Sequence, residues 1–298
     1  VSLPPGLPAD WQQRVHSRRV AAAGLDWHVQ VAGQGPTVLL LHGTGASAHS
    51  WAGLLPLLQG AATVVVPDLP GHAFTRGATP EQLTLPRMAA ALGALLQALQ
   101  LPPAHLVVGH SAGAALALRM ALSAEHPPAA VLGFAPSLVA PPEIYTRWLA
   151  PLVNPVATSG PVARLMSGVA ARSGLIDLLL DSTGSRLTPA QRQPYKTLFS
   201  ERSHVRGAVG FMAAADLPAL NADAARLRSR MAFVMGQGDR WIPERALRPV
   251  LQRCYPDADA QAWPGGHLVH EEQPARAAQR VLALLAETRA DTTVMRAA

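Results

Sequence analysis

The chain has 298 residues, 49% of them hydrophobic and 15% charged. That is enough for one large core with an insertion, and it excludes a disordered or fibrous chain. The net charge of +6 comes almost wholly from scattered arginines, with Lys196 the single lysine and Arg18-Arg19 the one doublet. This argues against nucleic-acid binding and leaves at most a peripheral attraction to anionic lipid.

The first twenty residues contain Pro4, Pro5, Pro8, Asp10 and Arg14 and lack the apolar core of a signal peptide. Two strand signals follow, over 19–22 and 25–31, with Gly24 marking a tight turn between them. Residues 37–41 are a continuous apolar run, the pattern of a strand buried on both faces of a parallel sheet. The same pattern recurs at 63–66, 105–108, 131–134 and 231–235, and more weakly at 259–263.

Helical patterns fall between these runs. They cover 48–58, 85–99 (with Thr84 as N-cap and Pro86 in the first turn), 111–124, 243–254 and 274–287. The uncharged stretch 88–104 is broken by Gly93, Pro102 and Pro103 and is too short to span a bilayer, so it reads as a buried helix. A cytoplasmic chain is expected. Strand alternating with helix predicts a parallel sheet covered on both faces. From 136 to 216 no buried-strand run appears, only prolines, glycines and helix-like pieces at 148–153 and 189–199. This stretch reads as a helical cap inserted into a core formed by 1–135 and 217–298. The tail from 288 onward reads as frayed.

Four segments could carry chemistry. Gly109-His110-Ser111-Ala112-Gly113 lies between a strand and a helix. A sharp turn there lifts the serine hydroxyl out of the sheet edge and aims the Ala112 N–H at a developing oxyanion. The small residues at 109 and 113 leave room for the neighbouring backbone. The motif alone is weak, and the strand before it and helix after it strengthen it. In Leu41-His42-Gly43-Thr44-Gly45, the Thr44 N–H is placed to be a second oxyanion donor. A serine hydroxyl needs a general base, and the base needs an orienting carboxylate. Asp239 follows an apolar strand, and His267 follows the last strand behind Gly265-Gly266. The order serine, acid, base fits.

His42, His110, Trp148 and Trp241 are expected at the pocket wall. His270, Glu271 and Glu272 read as capping or surface groups, because no ligand cluster at metal spacing accompanies them. No metal or cofactor is expected. Asp68, in Pro67-Asp68-Leu69-Pro70-Gly71-His72, precedes the serine and reads as a loop-shaping residue. Cys254, the single cysteine, cannot form an intrachain disulfide and reads as a buried apolar residue or free thiol.

Together these segments resemble the α/β-hydrolase superfamily from 37 to 274, which implies an α/β-hydrolase fold with Ser111, Asp239 and His267 as its triad. One departure is Ala73, where relatives usually carry glycine after the histidine of the Asp68 loop. Further stretches are Leu25-Asp26-Trp27-His28-Val29-Gln30, His42-Gly43-Thr44-Gly45-Ala46-Ser47, His110-Ser111-Ala112-Gly113-Ala114-Ala115 and Gly184-Ser185-Arg186-Leu187. These resemble the magnesium-chelatase accessory proteins of photosynthetic bacteria. That resemblance implies a place in bacteriochlorophyll synthesis near magnesium insertion. The partner is then a small-molecule ester, a tetrapyrrole or a magnesium-chelatase subunit, with peripheral contact at the photosynthetic membrane. Three functions remain open: a serine hydrolase, a non-catalytic accessory protein that binds a tetrapyrrole or a chelatase subunit, and a cofactor-free lyase or peroxidase-type reaction, which the intact oxyanion loop disfavours.

Overall fold

The structure is a computed structural model and describes residues 2–139 and 174–297. Its centre is an eight-stranded sheet: β1 (Ser17–Ala22), β2 (Leu25–Ala32), β3 (Thr37–Leu41), β4 (Thr63–Pro67), β5 (Leu106–His110), β6 (Ala130–Phe134), β7 (Arg230–Gly236) and β8 (Asp259–Trp263). The spatial order is β1-β2-β4-β3-β5-β6-β7-β8. β2 runs antiparallel to β1 and β4, and the remaining pairings are parallel. This is the α/β-hydrolase fold. The β1–β2 hairpin turns on Ala23 and Gly24, both at positive φ, the requirement of a type I′ turn.

Every residue of β3, β5 and β6 is buried, because alternate side chains feed two cores. Leu39, Leu41, Val107 and Val131 pack on one side with α2 (Leu85–Ala98) and α3 (Ala112–Ser123). Val38, Leu40, Val108 and Leu132 pack on the other with Trp51, α1 (Leu55–Leu58) and the final helix. β8 is an edge strand with one buried residue of five, which is why its apolar signal is weak.

Between β6 and β7 the described residues form α4 (Leu175–Ser182), α5 (Pro189–Phe199), α6 (Arg202–Ala214) and α7 (Leu217–Ala222). After β7 come α8 (Glu244–Cys254), α9 (Val269–Glu272) and α10 (Pro274–Ala297). The predicted piece at 148–153, with Trp148, lies outside the described residues.

Two expectations need correction. The single helix expected over 48–58 is a 3-10 turn, Ala48–Trp51, followed by α1. Pro56 lacks an N–H and its ring opposes continuation from the preceding turn. The tail is not frayed in its backbone: α10 continues to Ala297. Thr288 is buried and meets His105 Nε2 at 3.0 Å, which fastens the helix at the start of β5.

Candidate active site

The turn between β5 and α3 is forced by close backbone contact. A Cβ on Gly109 would lie 2.3 Å from the Gly113 carbonyl oxygen, and one on Gly113 would lie 2.3 Å from that of Leu41. Ser111 is held at φ 52°, ψ −118°, a backbone conformation that L-residues rarely adopt and that costs about 1–3 kcal/mol. The end of β6 and the loop after it hold it there. The Ser111 N–H donates to the Phe134 carbonyl, and the Ser111 carbonyl accepts from the Ser137 N–H.

The three residues expected to act together meet. His267 Nε2 lies 3.0 Å from Ser111 Oγ, and His267 Nδ1 lies 2.8 Å from Asp239 Oδ2. The other carboxylate oxygen, Oδ1, accepts the N–H groups of Trp241 and Ile242 at 2.8 Å each. With Oδ2 facing Nδ1, the proton of His267 belongs on Nδ1, and the Nε2 lone pair faces the serine. All three side chains are buried. This geometry can move a proton from Oγ to Nε2 as Oγ attacks an acyl carbon.

Thr44 and Ala112 both line the cavity beside Ser111. Among the described residues the Thr44 N–H donates to no protein acceptor. The Ala112 N–H opens α3, where helix amides have no internal partner. Both are therefore available to a ligand oxygen.

His110 lines the same cavity and donates from Nε2 to the His267 carbonyl at 3.0 Å. Burial, reinforced by His270 and His267, holds its pKa well below the ordinary histidine range. Trp241 is also in the wall, 5.5 Å centroid to centroid from His267, with its Nε1 donating to Ser182 Oγ. His42, expected in the wall, is not among the described lining residues. It is fully buried behind the loop, donating from Nδ1 to the Gly43 carbonyl and accepting the Leu69 N–H on Nε2. Burial, with His72 nearby, lowers its pKa to about 3. With both ring nitrogens occupied it shapes the loop.

Asp68 gathers its own loop, with Oδ1 accepting the Ala48 N–H and Oδ2 accepting the Phe74 N–H and meeting His28 Nδ1 at 2.7 Å. Burial opposes its ionisation, yet His28 and these donors hold it below the usual carboxylate range. Ala73 sits at φ 43°, in the left-handed region where glycine is unstrained, which accounts for the glycine usual at that position.

Motif reading missed how the inserted helices hold the site. His204 on α6 is fully buried, accepts the Ala73 N–H on Nδ1 and donates from Nε2 to the Gly45 carbonyl. The loop after α4 locks the histidine side: the His267 N–H donates to the Thr183 carbonyl, and the Leu268 N–H donates to Ser185 Oγ. A Cβ on Gly266 would fall 2.3 Å from the Ser185 nitrogen.

Glu271 and His270 are not surface groups; both are buried. The Glu271 carboxyl accepts from Ser50 Oγ and the Tyr195 hydroxyl at 2.6 Å each. Burial raises its pKa to about 7 against the pull of those two hydrogen bonds. Glu272 does cap, accepting the Gly266 and Arg186 N–H groups. Neither His204 nor Glu271 carries a local sequence signal, because each meets partners far away in the chain.

The cavity over Ser111 has a volume of about 730 Å³ and a mostly apolar wall, including Leu138, Leu179, Phe199, Val209 and Met212. That is the size and character of a small-molecule site. Among the described residues no group of three or more His, Cys, Asp or Glu could hold a metal ion. No described helix is long and apolar enough to cross a membrane.

The sheet and this site define an α/β hydrolase: residues 38–280 match the alpha/beta hydrolase family, and the chain belongs to it. It is 35% identical over 275 residues to the magnesium-chelatase 30 kDa subunit of Rhodobacter capsulatus, covering 90% of this chain and 94% of that protein. It is also 29% identical over 274 residues to a pimeloyl-[acyl-carrier protein] methyl ester esterase of Xanthomonas campestris, covering 87% and 99%. The solved structure of an α/β-hydrolase-fold protein from Burkholderia ambifaria overlays with a TM-score of 0.73 at 22% identity, covering 89% of this chain and 97% of that one. That likeness speaks to fold alone.

Proposed function

We propose that the protein is a serine hydrolase of carboxylic esters that acts in bacteriochlorophyll synthesis near the magnesium-chelatase step. The observation that carries this reading is the unbroken chain Ser111 Oγ, His267 Nε2, His267 Nδ1, Asp239 Oδ2 at 3.0 and 2.8 Å, opening on an apolar cavity. Ser111 Oγ bonds to the acyl carbon while His267 takes its proton. The Thr44 and Ala112 N–H groups hold the oxyanion. His267 returns the proton to the departing alkoxide; it then deprotonates a water that attacks the acyl carbon, and passes that proton to Ser111 Oγ as the Oγ–acyl bond breaks and the acid leaves. Residues 136–216 act as the cap that shapes the acyl and alcohol pockets, with Trp241 in the wall. The pathway rests on the likeness to the magnesium-chelatase 30 kDa subunit, and the ester chemistry is supported by the likeness to a methyl ester esterase. The chain works in the cytoplasm, in peripheral contact with the photosynthetic membrane. The test is hydrolysis of a p-nitrophenyl ester: Ser111→Ala is expected to lower kcat by about 10⁴-fold, and an unchanged rate overturns the reading.

A second reading is favoured by the cavity itself, whose volume and apolar wall suit a bulky apolar ligand. In it the protein binds a tetrapyrrole, or presents one to a chelatase subunit, without chemistry. Porphyrin binding that survives Ser111→Ala, together with no turnover of any ester, selects this second reading.

A further inference from the structure

The cavity wall can be read as the negative of its ligand. Most polar side chains that line it are already committed within the protein. Thr183 donates to the Leu180 carbonyl, and the Tyr195 hydroxyl donates to Glu271. Asn221 donates to the Leu138 carbonyl and accepts from the Tyr255 hydroxyl. What remains is unevenly placed. Thr44 and Ser137 stand with Ser111, since the Ser137 N–H donates to the Ser111 carbonyl. Arg253 stands on α8, in the wall that α7 and α8 supply through Leu217, Asn221 and Val250.

Arg253 is the only lining residue among those described with a permanent charge, and no described carboxylate lines the cavity. It is exposed, and its guanidinium enters no ion pair or hydrogen bond with the described residues. The acid on its own helix is taken: Glu244 pairs with Arg248. The Arg253 wall is continuous with the nucleophile through Tyr255, Asn221, Leu138 and Ser137. A guanidinium presents a planar fork that matches a carboxylate or phosphate. Beside an apolar wall its field is less screened than on an open surface.

From this polar–apolar–cationic pattern we infer that the substrate is an ester on an apolar body that also carries an anionic group, a carboxylate or phosphate, remote from the scissile bond and received by Arg253. The inference rests on the hydrolase reading and narrows it to anionic esters. Because Arg253 reaches solvent, the preference is modest, about fivefold, and it shrinks as salt is added.

The test compares the monomethyl esters of α,ω-diacids with the methyl esters of monoacids of equal chain length, over a graded series of lengths. For the wild type the ratio of kcat/KM, half-ester over neutral ester, is expected to exceed one at the lengths that span the cavity. In Arg253→Gln it falls to about one, and in Arg253→Glu below one. A wild-type ratio of one or less at every length, or a ratio that Arg253→Gln leaves in place, overturns the inference. In a parallel arm, Ser111→Ala protein binds the same half-esters in calorimetric titration. If no ester is turned over but this binding is tighter than for the neutral esters and depends on Arg253, hydrolysis falls while anion recognition stands. If turnover is normal and the ratio is flat, anion recognition falls alone.

Discussion

His204 Nε2 donates to the Gly45 carbonyl at 3.1 Å, joining inserted helix α6 to the loop that carries Thr44. The other ring nitrogen accepts the Ala73 N–H at 3.0 Å, so one neutral imidazole ties the Thr44 loop to the Asp68 loop. Burial, with His72 close by, keeps it neutral by holding its pKa well below the ordinary value. The inserted helices therefore do more than cover the cavity, because they hold the loop that carries Thr44, the proposed oxyanion donor.

If so, His204→Phe lowers kcat more than it raises KM, by about tenfold or more. This is less than the effect of deleting a donor outright, which is about 10²–10³. His204→Gln, whose amide can both accept and donate, restores part of the loss. Steady-state kinetics on a small ester reads both. A change confined to KM, or no rescue by glutamine, removes the positioning role.

Buried neutral histidines set the response to acid. Burial lowers His49 to about 3 and His72 to about 4, and burial with its histidine neighbours lowers His42 and His270 to about 3. Their folded pKa values lie below the unfolded value near 6.5. Their contribution is therefore present above pH 6.5 and is lost as pH falls towards 3. Glu271 runs the other way. Its folded pKa of about 7 exceeds the unfolded value, so its contribution is present below about 4.5 and is lost as pH rises through 7. Four histidines outweigh one carboxyl, and stability is expected to rise between pH 4.5 and 6.5, by about 3–4 kcal/mol per unit at the steepest. Glu271→Gln removes the opposing contribution and steepens that rise. Urea unfolding across this range checks both, and a flat or falling profile contradicts them.

The turn that carries Ser111 is also a stability element. In Gly113→Ala the new methyl falls 2.3 Å from the Leu41 carbonyl oxygen and 2.5 Å from that of His42. Backbone on both sides leaves no flexible group to yield. A loss of about 3 kcal/mol or more is expected, seen as a lower Tm and urea midpoint. Gly93→Ala, where an added Cβ meets nothing within 4 Å, is the control and should be neutral or slightly stabilising.

How much of this was legible in the sequence follows from where each signal resides. β3, β5 and β6 could be read because strands buried on both faces must be apolar throughout. Ser111, Asp239 and His267 could be expected to meet, as they do, because each follows a strand and two of them sit beside glycines that backbone contact requires. His42 was misplaced, because a histidine in a loop near the site carries no mark of which way its ring turns. Glu271 and His270 looked like surface groups, because their burial depends on Tyr195 and Ser50 arriving from other parts of the chain. His204 lies in a polar helical turn, and its partners, Gly45 and Ala73, are more than 100 residues away. Contacts of that kind are written in the tertiary structure alone.

The most direct measurement is covalent labelling with a fluorophosphonate, read by peptide mass spectrometry. The account predicts one adduct, on Ser111, in the wild-type protein, strongly slowed in His267→Ala and absent in Ser111→Ala. An unlabelled wild type, or an adduct that persists in Ser111→Ala, contradicts it.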